Sequence, residues 1–479
     1  MGRRRDAPAR PRRRTIELLV ILAALGCWPH GTPAGAAELA ARLGAALDHP
    51  GLRGASVGAL VVHAGDGQVV FERGADQLLI PASNLKILTA VAALSLFGPS
   101  HRFTTRLYAD AAPDQSGSVA MLAVRGGGDP ALTSEEWWRL AADLRQRGVR
   151  HVRGDLILDD AYFDQQRWNP TWDGVSARAF HAPVGALNAN YGAFSVVVRP
   201  ARGAGARPTI LVDPPVPYFE IVDRLQPGGA PLEVAREAAG ARDRVVVSGA
   251  PPSHADSEPI ERSVSDPARY AAAVLRLQLA AAGIVIDGQD RVGPVPPNFV
   301  EIMSFEGKPL ADTVRLLMKF SNNNIAETLV KDMGAAKSGA PGSWPTGVAA
   351  IREQLATLGI DPSGLQTVDG SGLSQADRVT PRTFVSALRI AQASFAFGPE
   401  LVSALPIAGR DGTLAHRAAA AADAVRAKTG LLRGAAGLSG YARSRDGTPL
   451  VFSILVNGLT RGEADAIAAL DAFAAALVQ

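Results

Sequence analysis

Ser83 and Lys86 stand three residues apart in "PASNLKILTA", residues 81–90, where an apolar run opens. Residues at i and i+3 share one face of a helix, so the Lys86 amine can reach the Ser83 hydroxyl. A serine needs such a partner because its hydroxyl does not ionise at neutral pH. A lysine takes that proton only where burial or nearby charge lowers its own pKa. The helix start adds N–H groups and partial positive charge where an oxyanion would form. Lysine is scarce here, six against 43 arginines, and only Lys86 has a serine three positions before it. Taken alone, the pair more often describes a helix cap beside a solvated lysine.

Two further stretches change that reading. "KFSNNNIAE" holds Ser321, Asn322 and Asn323 between two helical patterns, in a turn that can aim a hydroxyl and an amide into a cleft. "RAKTGLLRG" sets Lys428, Thr429 and Gly430 at the start of a strand pattern. There glycine permits close approach of a substrate backbone, and Lys and Thr offer charge and a donor. Each stretch also has a plainer account, a polar interhelix loop in one case and an edge-strand lysine in the other.

Other patterns carry less. Gly54-Ala-Ser56-Val-Gly58 matches a nucleophile elbow, but Ser56 falls inside a strand that runs into a hairpin rather than a strand–turn–helix. Lys337-Ser338-Gly339 reads as a helix C-terminus, and "RGGGDP" (125–130) as a turn. The eight histidines show no metal-ligand spacing. A Ser-His-Asp triad stays open, because its members need not be close in sequence.

The elements that must position these residues follow from periodicity. "GASVGALVVHAGDGQVVFERGADQLLI" (54–80) shows two β-rich runs around His63-Ala-Gly-Asp-Gly67, a hairpin pattern, and a helix follows from Pro81 to about Phe97, closed by Gly98-Pro99. From about 102 to 300 the chain is rich in short strand-like pieces. Two helices interrupt it, 133–148 with a Thr and Glu capping box, and 266–283. After 303 the pattern turns helical, with Thr380 as N-cap and Pro381 at N1 of one helix. Two strand stretches and a closing amphipathic helix end the chain. The early hairpin and the late strands can share one sheet, which makes the β-rich middle an insertion in one α/β domain.

Composition is ordinarily globular, 47% hydrophobic and 20% charged over 479 residues. The opening 36 residues differ: an arginine-rich stretch, the apolar run "TIELLVILAALGCW", and Ala34-Gly35-Ala36 as a cleavage site. This is the pattern of a secretory signal peptide. It holds seven Arg against Asp6 and Glu17, so its removal takes the formal charge from +3 to −2. The basic pI therefore gives no reason to expect nucleic-acid binding. Cys27, the only cysteine, leaves with it. A thiol-free chain suits an oxidising compartment. Ala24-Leu25-Gly26 fits lipid attachment at Cys27 poorly, and Arg13-Arg14 points only weakly to twin-arginine export. The expected product is exported and periplasmic or extracytoplasmic, soluble or peripheral at the membrane.

In the order Ser-x-x-Lys, Ser-x-Asn, Lys-Thr-Gly, the three motifs form the signature of penicillin-recognising acyl-transfer enzymes. The chain resembles the D-alanyl-D-alanine carboxypeptidase/endopeptidases among the low-molecular-mass, class C penicillin-binding proteins. "GGGDP", "GDLILDDAYFD", "APVGALNANYG", "DGSGLSQADRVTP", "LPIAGRDGTL" and "GLSGYA" extend the resemblance over nearly all of residues 37–479.

The resemblance implies an α/β fold, a penicillin-recognising serine transpeptidase/β-lactamase-like domain with an antiparallel sheet flanked by helices. It places β-rich domains between Ser-x-x-Lys and Ser-x-Asn. On this reading 1–36 is the signal, 37–102 and 298–479 the catalytic domain, 103–126 and 206–297 a second domain, and 127–205 a third nested within it. Ser83 would be the acylated nucleophile, Lys86 its base and Ser321 the proton relay to the leaving amine. Asn323 would orient the acyl chain or Lys86, and Lys428 would supply positive potential. Thr429 would hold a substrate carboxylate, beside Gly430. The N–H groups of Ser83 and Leu431 would form the oxyanion hole.

Peptidoglycan stem peptides would be the substrates and β-lactams covalent inhibitors, with neither cofactor nor metal. Relatives usually carry Thr or Ser where Leu431 stands, so one hydroxyl for a terminal carboxylate is missing. Alternatives are a serine β-lactamase or esterase on the same scaffold, and a non-catalytic cell-wall binding protein.

Overall fold

The computed structural model describes Gly2 and residues 33–203, 206–459 and 462–479. The expected signal segment lies almost wholly outside these residues. Its cleavage site at Ala36 falls in the first turn of the helix Pro33–Leu47. Among the described residues no helix is long and apolar enough to cross a membrane.

The expected hairpin is present, Ser56–His63 pairing antiparallel with Val69–Arg73. Its first strand also pairs with Pro449–Asn457, from Ser56 opposite Asn457 to His63 opposite Leu450. One antiparallel sheet results, in the order Val425–Leu432, Ala435–Arg443, Pro449–Asn457, Ser56–His63, Val69–Arg73. Both its faces are covered. Leu60 and Val62 join the helical core around Lys86–Phe97, whereas Ala59 and Val61 join the core under the helices Pro33–Leu47 and Glu463–Val478. The alternation follows the two-residue repeat of a strand, and burial of both faces explains why these strands read as continuous apolar runs.

The Lys86–Phe97 helix is buried from Lys86 through Leu94. Such a helix is apolar all round, and a single lysine in it must be paired or lose its proton.

The middle of the chain forms its own layered body around Trp137 and Tyr270. A five-stranded sheet runs in the order Asp290–Val292, Leu156–Asp159, Leu122–Arg125, Arg102–Ala109, Val300–Pro309. Three three-stranded sheets complete this body with the helices Ser134–Gln146 and Pro267–Ala281. The sheets do not part at the nested division 127–205. Leu156–Asp159, from inside it, lies between strands from outside, and Ala193–Arg199 pairs with both Thr209–Asp213 and Ile260–Ser263. Sheet pairing joins strands across that boundary, which a linear reading does not show.

The expected capping box of the helix Ser134–Gln146 is not formed, and Thr133 makes no cap hydrogen bond. Glu136 instead turns its carboxylate to Arg139 and Lys308. A buried carboxylate gains more from two cations than from one backbone N–H.

Candidate active site

Ser83 sits in a 3-10 turn, Ala82–Leu85, that leads directly into the Lys86–Phe97 helix. Ala82 has φ 46°, a left-handed conformation rare for a residue with a Cβ. Gly372 lies against it, and a side chain at 372 would collide with the Ala82 carbonyl. The nucleophile's turn is thus held in a strained shape by the "DGSGLS" loop, as functional turns often are.

Lys86 Nζ lies 2.9 Å from Ser83 Oγ, 2.7 Å from Asn323 Oδ1 and 2.8 Å from the Ser371 carbonyl. Burial lowers its pKa to about 8, opposed by the negative charges of Glu327 and Asp369. As an ammonium Nζ donates to all three acceptors. As a neutral amine it donates to Asn323 and Ser371 and accepts from the Ser83 O–H. The second state is the one a general base needs.

Ser321 ends the helix Leu310–Phe320 with φ 55° and ψ 36°. That left-handed residue turns the chain at once into the helix Asn323–Ser338, whose N-cap is Asn322. Asn322 Oδ1 accepts from the Ile325 N–H at 3.0 Å. The three asparagines divide the work. Asn322 caps the helix, Asn323 reaches Lys86, and Asn324 donates to the Pro183 carbonyl and accepts from Asn188 in the inserted body.

Lys428 comes from the edge strand Val425–Leu432 and donates to Ser321 Oγ at 2.9 Å and to the Thr429 carbonyl at 2.7 Å. Burial, then the neighbouring Lys86, holds its pKa well below the usual lysine value. Thr429 Oγ1 donates to Thr413 Oγ1 at 2.8 Å. Gly430 lets this strand meet the nucleophile's turn. A Cβ there would clash with the Asn84 amide and come within 2.9 Å of the Pro81 carbonyl.

Ser83, Lys86 and Asn323 therefore share one set of hydrogen bonds, and Ser321 and Lys428 a second, with the turn 321–323 joining the two and Thr429 and Gly430 on the strand of Lys428. Leu431, two residues beyond Thr429, is 43% exposed. A cleft of about 680 Å3 opens beside Ser321, Asn322 and Asn323, with Phe180 and Phe320 on its walls. Ser56 lies in its strand and Ser338 ends a helix, as their patterns predicted.

Glu327, Thr413, Ser371 and Phe180 were not singled out from sequence. Thr413 and Ser371 lie in "LPIAGRDGTL" and "DGSGLSQADRVTP", stretches that marked the resemblance without suggesting these contacts. Glu327 carried no signal beyond its place at helical spacing, i+4, from Asn323. Phe180 contributes its backbone carbonyl, which accepts from Asn323 Nδ2, so no side-chain pattern reveals it.

The family model of D-Ala-D-Ala carboxypeptidase 3 (S13) matches residues 39–477. The chain belongs to that family. It is 35% identical over 466 residues to the D-alanyl-D-alanine carboxypeptidase of Actinomadura sp. (strain R39), covering 93% of this chain and 86% of that one. It is 27% identical over 421 residues to the D-alanyl-D-alanine carboxypeptidase DacB of Haemophilus influenzae, covering 86% and 87%. The crystal structure of penicillin binding protein 4 (dacB) from the same organism superposes with a TM-score of 0.76 at 26% identity, over 90% of this chain and 97% of that one. The α/β penicillin-binding fold expected from the motifs is the fold of this protein, which is a serine-type D-Ala-D-Ala carboxypeptidase.

Proposed function

We propose that the protein hydrolyses D-Ala-D-Ala termini, and D-Ala–diaminopimelate cross-links, of peptidoglycan through an acyl-enzyme on Ser83. The observation that carries this is Lys86 Nζ, buried and held between Ser83 Oγ, Asn323 Oδ1 and the Ser371 carbonyl. Neutral Lys86 takes the Ser83 proton as Oγ attacks the carbonyl carbon of the penultimate D-Ala. The N–H groups of Ser83 and Leu431 receive the oxyanion. The C–N bond then breaks, and the proton taken up by Lys86 is relayed through Ser321, beside Lys428, to the departing amine, which leaves Lys86 neutral again. Water attacks the ester, its proton returns through Lys86, and Ser83 is restored. A β-lactam enters the same first step. Its ring-opened amine stays tethered, which accounts for trapping.

Leu431 offers no hydroxyl to the carboxylate beside the leaving nitrogen, so recognition of that carboxylate loses one hydrogen bond. Export to an extracytoplasmic, peptidoglycan-facing compartment is part of the same reading, supported by the arginine-rich and apolar opening of the chain.

The test is intact-mass measurement after benzylpenicillin, beside Ser83→Ala, followed by peptide digestion. One stable adduct on the natural chain and none on the variant supports the assignment. Catalytic consumption of the drug points to a β-lactamase. No adduct, with the drug intact, points to a binding protein.

A further inference from the structure

Directly behind the catalytic lysine lies a carboxyl group that the reaction above does not use. Glu327, fully buried one turn along the helix from Asn323, faces the loop 369–374. Its Oε1 accepts from the Ser371 N–H at 2.7 Å, and both oxygens accept from the Gly370 N–H at 3.2 Å. Oε2 also accepts from Trp344 Nε1 at 2.7 Å. On its other side the same turn meets the lysine helix, where Thr89 Oγ1 donates to the Gly370 carbonyl and Lys86 Nζ to the Ser371 carbonyl. The turn is therefore clamped between the Asn323 helix and the Lys86 helix, and Glu327 supplies every acceptor on one side of the clamp.

We infer that Glu327 is a positioning residue for Lys86, fixing the Gly370–Ser371 turn so that Nζ keeps its third acceptor and meets Ser83 Oγ in line. This inference rests on Lys86 serving as the base for Ser83.

The charges around Glu327 are few and can be named. Lys86 faces it from the lysine helix, and Asp369 from the loop, with Asp377 behind Asp369. Lys428 lies next to Lys86, and Lys331 Nζ stands 3.9 Å from the centre of the Trp344 ring that donates to Glu327. Burial, then the Asp369 charge, raises the Asp377 pKa well above its usual value. Burial and Asp369 also push Glu327 upward, while its contacts with Ser371, Trp344 and Gly370 pull it back. In its ionised form Glu327 raises the Lys86 pKa and so opposes loss of the proton. The residue trades some basicity at neutral pH for a fixed geometry, and its removal should separate these two effects.

Glu327→Gln keeps the size of the side chain and removes the charge, while its NH2 group faces an N–H where an oxygen stood. The benzylpenicillin acylation rate constant is followed from pH 5.5 to 9.5. We expect the rising limb to move to lower pH by about one unit and the plateau to fall at least tenfold. Hydrogen exchange at the amides of residues 370–371 should accelerate in the native state. Glu327→Asp keeps the charge but is one methylene shorter, so its limb should stay in place while its plateau falls.

A folded Glu327→Gln protein with an unmoved limb, a full plateau or unchanged exchange would overturn the inference. If Glu327→Gln does not fold, a Glu327→Asp plateau at the natural level would do the same. Failure of the underlying reading looks different. In that case the natural chain is not acylated, or Lys86→Arg is acylated at full rate, while the exchange comparison still reports whether Glu327 holds the turn.

Discussion

Lys86 can act as a base only in the fraction of molecules where it has lost its proton. With its pKa lowered to about 8 by burial, that fraction rises through mildly alkaline pH and then saturates. The acylation rate constant should therefore climb from pH 6 to about 9 and level off, as measured by adduct formation in quenched mass spectra. Lys86→Arg keeps the charge but cannot deprotonate in this range. We expect acylation to fall by roughly a hundredfold or more, within the range for lost general-base catalysis. Leu431 is the other residue with a distinct consequence. Leu431→Thr restores a hydroxyl near the leaving group, worth about 1.5 kcal/mol for a bond to a carboxylate, or roughly tenfold. The gain in kcat/KM should appear with a peptide ending in free D-Ala-D-Ala and be absent when that terminus is amidated.

At the level of elements, the junction between two helices positions half the site. Ser321 occupies a left-handed conformation that only glycine adopts without strain. Ser321→Gly and Ser321→Ala both remove the proton relay. Chemical denaturation should nevertheless find the Gly variant more stable than the Ala variant by about 1 kcal/mol. A difference near zero would mean that the turn relaxes when the hydroxyl is lost.

The same junction shows what a sequence can and cannot reveal. The helices on either side and the motif itself were legible, because periodicity and residue type survive without coordinates. So were the hairpin, the late strands and their union in one sheet. The left-handed turn at Ser321, the missing capping box at Thr133 and the strand sharing within the inserted body were not. Each depends on contacts made far along the chain. The lysine geometry was expected only as a shared helix face, whereas the actual path from Ser83 to Lys86 passes from a 3-10 turn into the helix. The Glu327 clamp was invisible because the turn it holds is bound through the backbone N–H groups of Gly370 and Ser371, which leave no mark on residue type.

Across the whole molecule, the inserted body does more than occupy the gap between motifs. Asn188 and the Pro183 carbonyl hold Asn324, the Phe180 carbonyl holds Asn323, and Trp172 Nε1 donates to Asp369 at 2.9 Å. The glycines of "RGGGDP" press against Ala186, Thr104 and Asp332, so this stretch is a close-packed seam. Two buried carboxyl groups meet there, Asp129 within the stretch and Asp332 against it. Burial, with the nearby Glu136, pushes Asp129 up to about 7, and burial, with Asp129, raises Asp332 well above its usual value. A carboxyl raised in the folded state binds a proton that the unfolded chain has lost, so stability falls as pH rises from about 4 to about 7. Asp129→Asn removes that penalty. The variant should gain on the order of 2 kcal/mol at pH 8 and nothing at pH 4, read from urea midpoints at the two pH values.

The catalytic sheet joins Ser56–His63 to Pro449–Asn457. A ribosome thus releases the Ser83 turn early and the Lys428 strand almost last, and no edge exists for the nucleophile to rest against until translation is nearly complete. Long-range strand pairing of this kind is slow to form. A nascent or prematurely terminated chain carries the serine and its lysine but neither Lys428 nor a place for a substrate backbone. Synthesis itself keeps the hydrolase silent until the last strands arrive.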